Sequence, residues 1–162
     1  MQVRREDGYE IDTATGRIDL PLVQHWLTTD AYWSVGRPAE AVAASIAGSL
    51  CFGVYGPDGV QVGFARSVTD GATFAWIADV YIARDRRGLG LGTWLAEVVR
   101  DHLVGLGVPR IVLATMDAHE VYARVGFVPV ANPDRYMEID RRPPFAGPAR
   151  PSGAAHTTGG HP

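Results

Sequence analysis

Disulfide chemistry is closed to this chain, because Cys51 is its single cysteine and has no partner for an intramolecular bridge. The residue lies in the apolar run Leu50-Cys51-Phe52, where a buried, inert thiol is expected rather than a nucleophile. Long hydrophobic runs are lacking too: nothing approaches the ~20 apolar residues that cross a bilayer. Met1 is followed by polar and charged residues in place of a signal-peptide core, so a soluble, cytoplasmic protein is expected. Positive charge is not in excess. With 15 Lys and Arg against 18 Asp and Glu, the net charge of −3 gives no general attraction to nucleic acid, and clustered arginines read as a local feature. His156 and His161 have no partners at metal-ligand spacing, so no metal is expected.

What is present is enough for one domain with a real core: 162 residues, 46% of them hydrophobic. The domain is placed at 1–142. After Arg142, the segment Pro-Pro-Phe-Ala-Gly-Pro and the Gly/Ser/Thr/His-rich remainder offer little surface to bury, and 143–162 is read as a tail without order.

The chain is organised around Arg86-Arg87-Gly88-Leu89-Gly90-Leu91-Gly92-Thr93, between an apolar run ending at Ile82 and a helical pattern beginning near Gly92. Glycines at alternate positions let the backbone turn tightly with no Cβ in the way, so that successive N–H groups point into one concavity at a helix N-terminus. Such a nest binds anions, phosphate above all, and the two arginines add charge where a pyrophosphate would sit. A dinucleotide fingerprint would need glycine where Thr93 stands, and a nucleoside-triphosphate loop would need Gly-Lys-Ser/Thr where Gly92-Thr93-Trp94 stands. Neither fits.

Taken in order, Tyr9 to Asp12 reads as a short first strand, and Asp19 as the N-cap of a helix carrying Leu20, Leu22, Val23, Trp26 and Leu27 on one side. Thr28 to Arg37 is aromatic and polar without a period. Pro38 opens a second helix through Ile46. Leu50–Tyr55 and Val60–Ser67 flank Gly56-Pro57-Asp58-Gly59, which is hairpin chemistry. Phe74 to Ile82 is apolar on both faces, as in a strand covered on both sides, except at Asp79, whose carboxylate must be paired, bonded or facing a wet cleft. Beyond the loop, Trp94, Leu95, Val98, Val99 and Leu103 recur at helical spacing and Arg110–Thr115 is a further strand. Asp117 and Glu120 have capping-box spacing for a short helix closed by Gly126, and Phe127–Val130 and Tyr136–Ile139 are read as the last two strands. This is an α/β order with antiparallel pairs, hence a mixed sheet.

Arg87-x-x-Gly90-x-Gly92 resembles the acyl-coenzyme A pyrophosphate loop of the GNAT superfamily of N-acetyltransferases. Asp79-Val80-Tyr81-Ile82 is similar to that family's central strand, and Ala118-x-x-x-Tyr122-x-x-x-Gly126-Phe127 to its C-terminal motif, so the likeness spans about residues 60 to 130. The resemblance implies a single-domain, mostly antiparallel sheet with a central, splayed parallel pair, flanked by helices. It implies acetyl-CoA as acyl donor, its pantetheine arm paired with the backbone of Val80, Tyr81 and Ile82 and its pyrophosphate on Arg87, Gly88, Leu89, Gly90, Gly92 and Thr93. Tyr122 stands where the family has its tyrosine acid. Thr115 stands where the family often has asparagine.

The expected reaction is attack of an amine on the thioester, with Tyr122 protonating the departing thiolate; a tyrosine merely packed on the sheet is the alternative. Asp79 is the first candidate for the base that takes the amine's proton, against a purely structural role. His119, early in the short helix, reads as solvated, and Asp117 as a cap. Tyr32, Trp33, Gly36 and Arg37 resemble a segment in one branch of the same family, and Tyr32, Trp33 and Arg37 are candidates for an acceptor pocket, with Arg37 suited to a carboxylate; aromatics plugging the core are the alternative. The expected acceptor is a small-molecule amine, with no nucleic acid or membrane partner and with a homodimer left open. Two other readings stand beside this one: a catalytically silent acyl-CoA sensor, and an acetyltransferase acting on a protein N-terminus or lysine.

Overall fold

The computed structural model describes residues 1–141; the tail expected from 143 onward lies outside the described residues. Six strands form one sheet in chain order: β1 (Gln2–Arg4), β2 (Glu10–Asp12), β3 (Leu50–Tyr55), β4 (Gln61–Thr69), β5 (Ala75–Ile82) and β6 (Ile111–Leu113). All neighbours are antiparallel except β5 and β6, which run parallel. The mixed, mostly antiparallel sheet expected from the sequence is therefore present. Its parallel pair lies at one edge of the described sheet, and β1 was not anticipated.

Among the described residues there are four α-helices, α1 (Leu20–His25), α2 (Ala39–Ala47), α3 (Leu91–Gly105) and α4 (His119–Arg124); α3 covers one face of the sheet, α1 and α2 the other, and α4 lies beside α3. On one face, Leu91, Leu95, Val98, Val99 and Leu103 of α3 pack on Ile11, Phe52, Val54, Val62 and Ile77. Shortening one of the fully buried leucines to alanine would cost about 2–5 kcal/mol. On the other face, Val23, Trp26 and Leu27 join Val42 and Ile46 of α2 over Cys51, Phe64 and Tyr81. Burial pushes the Cys51 thiol up to about 11, in line with the inert role expected of it.

Asp19 caps α1 as the sequence suggests, accepting the Leu22 amide at 3.0 Å. The helix then widens into one π turn, Trp26–Asp30. Thr28 Oγ1 donates to the Gln24 carbonyl at 2.7 Å and Thr29 Oγ1 to that of His25 at 2.6 Å, drawing carbonyls out of the regular ladder.

The C-terminal expectations need correction. Neither 127–130 nor 136–139 forms a strand: Phe127 packs on the core, but Val128, Met137 and Ile139 are 80%, 99% and 93% exposed. Pro129 lacks the amide a ladder needs, and Pro133 begins a 3₁₀ turn. The capping box is absent as well. Helix α4 starts at His119 behind Ala118, so Asp117 lies one residue outside the cap, and the Ala118 amide donates to Thr115 Oγ1 at 3.0 Å.

Candidate functional site

Strand β5 is longer than the partner beside it. Its parallel pairing with β6 ends at Ile77 against Leu113, while β5 runs on to Ile82, so among the described residues Ala78 to Ile82 have a free edge on that side. A bulge decides which groups that edge presents. On β4, Phe64 pairs with Tyr81 and Arg66 with Ala78, so Ala65 alone stands opposite both Asp79 and Val80. Asp79 takes the extra step at φ +52°, in the left-handed region that costs most non-glycine residues about 1–2 kcal/mol and that aspartate tolerates better than most.

The extra residue exchanges faces and edges together. Before it, Ala75 and Ile77 face the α3 side; after it, Val80 and Ile82 do, and Tyr81 faces the α1–α2 side. The Ala75 amide reaches toward β6, bonding the Arg110 carbonyl at 2.9 Å, whereas that of Ala83 turns to Val62 on β4. By alternation, the amides and carbonyls of Val80 and Ile82 point into the opening between β5 and β6. The Ile82 carbonyl accepts the Arg87 Nε at 3.0 Å.

At the end of β5, Arg84–Arg86 form a 3₁₀ turn, and Gly88 and Gly90 take left-handed φ values of +81° and +73° before α3 begins. Gly92, already inside the helix, does not. The amides of Leu91, Gly92 and Thr93 lie in the first turn, where a helix provides no internal acceptor. A Cβ on Gly88 would meet nothing within 4 Å, one on Gly90 only Arg5 Nη1 at 3.9 Å, and one on Gly92 only Ile82 Cγ1 at 3.9 Å. The cradle is bare on its open side, as close approach of a phosphate requires.

The loop is buttressed by residues that sequence reasoning missed. Asp30, from the π turn, accepts the Tyr81 hydroxyl and Arg84, and pairs with Arg87 at 3.5 Å. Arg84 and Tyr81 hold its carboxyl below the usual range, while burial and Asp30 push the Tyr81 phenol up to about 12. From the β1–β2 hairpin, Arg5 Nη1 donates to the Leu89 carbonyl at 3.2 Å and its guanidinium lies over the rings of Trp94 and Tyr9. Nothing in the sequence marks Asp30 or Arg5 as partners of this loop, because both act across long separations.

Asp79 is held by two arginines. Arg37 grips it with Nη1 to Oδ2 at 2.7 Å and Nη2 to Oδ1 at 3.2 Å, and Arg66 Nε reaches Oδ2 at 2.6 Å. Burial alone would raise this carboxyl, but the bonds from Arg37 and Arg66 outweigh it and hold the group below the carboxylate range. An anion so saturated is a poor proton acceptor, so Asp79 does not suit the part of general base. Arg37, committed to Asp79, is likewise not a free fork for an acceptor carboxylate.

Tyr32 reaches across to the segment after β6, its hydroxyl donating to Asp117 Oδ1 at 2.8 Å, and Trp33 packs edge-on against it with ring centroids 4.9 Å apart. Asp117 thus serves Tyr32 where a cap was expected. Tyr122, on α4, packs edge-on against Phe127 at 5.9 Å. Its phenol is pushed up to about 12 by burial and by the nearby charge of Asp117, and its hydroxyl donates no hydrogen bond among the described residues.

Known proteins place this arrangement. The model of the acetyltransferase (GNAT) family matches residues 20–127. A Gibberella zeae protein described as an acetyltransferase is 29% identical over 135 residues, covering 72% of this chain and 76% of its own length. A crystal structure from Xanthomonas campestris pv. campestris, of a protein assigned to the GNAT family, is 37% identical with a TM-score of 0.78, over 86% of this chain and 97% of that one. The fold is also similar to Neisseria gonorrhoeae N-acetylglutamate synthase, solved with coenzyme A and N-acetyl-glutamate, at 21% identity and a TM-score of 0.65, over 82% of this chain and 31% of that one.

Proposed function

This chain belongs to the GNAT acetyltransferase family, and from that premise we propose that it moves the acetyl group of acetyl-CoA directly to the amine of a small-molecule acceptor. The observation that carries the reading is the free edge of β5 beyond Ile77, turned by the bulge so that Val80 and Ile82 face the opening, and running straight into the bare loop at Gly88–Gly92.

In this reading the first-turn amides and Arg87 hold the pyrophosphate, the backbone of Val80, Tyr81 and Ile82 pairs with the pantetheine arm, and the Val80 N–H points at the thioester oxygen. Arg87 has to release the Ile82 carbonyl as the arm arrives. The amine nitrogen bonds to the carbonyl carbon as the carbon–sulfur bond breaks, and one backbone donor stabilises the charge that develops on oxygen. One ammonium proton leaves to solvent before attack and a second leaves nitrogen as the carbon–sulfur bond breaks, while sulfur takes a proton from Tyr122, which regains one from solvent, giving an N-acetyl product and the free coenzyme thiol. A phenol held up to about 12 enters each turnover protonated at any physiological pH, which suits a donor. Tyr32, Trp33 and Asp117 form the wall where the acceptor sits, and Asp117 gives that wall a negative charge suited to an ammonium.

Release of coenzyme A thiol from acetyl-CoA across a panel of amines, beside calorimetric binding of coenzyme A, tests the reading. Acetylation of at least one small amine is expected. Tight binding without turnover on any of them would hand the chain to the sensor alternative.

A further inference from the structure

The reaction just described uses the Val80 amide, but nothing in it explains why that amide faces the opening. Without the additional residue at the bulge, alternation along β5 would turn Val80 toward β4 and put Tyr81 on the cleft side. The aim of the oxyanion donor therefore depends on Asp79 staying at φ +52°, and a non-glycine residue keeps that conformation in a strand only when its surroundings over-determine it.

The surroundings are three charge-assisted bonds from two directions. Arg66 comes from β4, the strand whose single residue Ala65 faces the bulge, and is itself steadied by Nη1 donating to Ser49 Oγ at 3.3 Å. Arg37 comes from the segment that carries Tyr32 and Trp33, ahead of α2. One carboxylate, its side chain 2% exposed, thus joins the strand that aims the acetyl donor to the segment that lines the acceptor wall.

We propose that the Arg37–Asp79–Arg66 cluster is the positioning device of this enzyme: it fixes the β5 bulge so that the Val80 amide meets the thioester oxygen, and it locks the Tyr32–Arg37 segment to the same point. The inference rests on the acetyl-CoA reading above. Asp79 acts here through Val80 and touches no substrate, so it is a positioning residue. The arrangement makes a definite demand, since loosening the cluster should disturb the acetyl end of the donor and spare its pyrophosphate end.

The test uses the full chain with acetyl-CoA labelled with ¹³C at the thioester carbonyl, and coenzyme A for comparison. In the parent, bound acetyl-CoA should show a downfield carbonyl resonance relative to free ligand, the mark of a hydrogen bond to that oxygen. Asp79→Asn keeps the shape and the tolerance of left-handed backbone while removing the charge. It should bind coenzyme A within about threefold of the parent, well under 1.4 kcal/mol by the tenfold rule, while the carbonyl resonance returns toward its free position. A merely structural residue would shift stability without separating the two ligands. Where Asp79→Asn does not fold, Arg37→Lys is read instead: it keeps the charge, loses the two-pronged grip, and should give a partial return. A parental carbonyl resonance in a folded Asp79→Asn, or in Arg37→Lys, overturns the positioning role while leaving acetyl-CoA binding intact. A parent that does not bind coenzyme A sinks the underlying reading, and the inference with it.

Discussion

Gly92 offers a test in which fold and binding should move in opposite directions. It lies in the first turn of α3 and does not take the left-handed φ of Gly88 and Gly90, and a Cβ there would find only Ile82 Cγ1, at 3.9 Å, an ordinary contact. Nothing in the free protein needs glycine at that position. Exchanging it for alanine should therefore gain helix stability, about 0.5–1 kcal/mol at this end position, or roughly 1–4 °C in Tm for a chain of this size. If the first-turn amides cradle a pyrophosphate, the new methyl obstructs one charge-assisted bond worth about 1.5–3 kcal/mol. Affinity for coenzyme A should then fall about ten- to hundredfold. Gly90→Ala is the contrasting case: forced to φ +73°, it should lose about 1–2 kcal/mol and several degrees of Tm together with affinity, and Gly90→Val more. Scanning calorimetry and titration calorimetry with coenzyme A read both quantities on each variant. Parental affinity in a Gly92→Ala protein would remove the loop from the cofactor site.

Tyr122→Phe keeps the ring against Phe127 and should leave coenzyme A affinity alone while kcat drops about 10²- to 10⁴-fold; unchanged turnover would assign the proton to water. Because the raised phenol stays protonated below about 12 and loses its proton only above that, kcat/KM for an amine should climb with pH as the ammonium deprotonates and show no decline from Tyr122 up to pH ~10. A falling limb near pH 8 would place the acid elsewhere. Asp117→Ala removes the Tyr32–Asp117 hydrogen bond and the negative charge of the wall, and should raise the acceptor KM about tenfold, the worth of one hydrogen bond to a charged group, without altering coenzyme A binding. Equal effects on both ligands would assign the pair to packing.

How much of this was visible beforehand follows the range of the forces involved. The Asp19 cap, the Gly56–Gly59 hairpin and the helix behind the glycine loop are encoded within a few residues, and each formed where its local chemistry pointed. Asp79 announced itself as the one charge in an apolar strand, but its meaning lay 42 residues away in Arg37 and 13 away in Arg66, at separations no local pattern carries. Phe127–Val130 had strand composition without a strand, since a ladder needs a neighbour and Pro129 withholds a donor. Asp117 and Glu120 had capping spacing, yet the hydroxyl of Tyr32 took the aspartate from across the fold.

The hydrogen bond from Arg5 to the Leu89 carbonyl spans 84 positions of sequence, and it bears on when the protein becomes competent rather than on what it binds. Loop closure over such a distance comes late, after nearby contacts have formed. During synthesis the β1–β2 hairpin leaves the ribosome long before the glycine loop exists, so it waits for its partner. The bare cradle gains its Arg5 buttress only when the N-terminal hairpin docks on the mid-chain turn, so the loop is complete only after that long-range contact has formed.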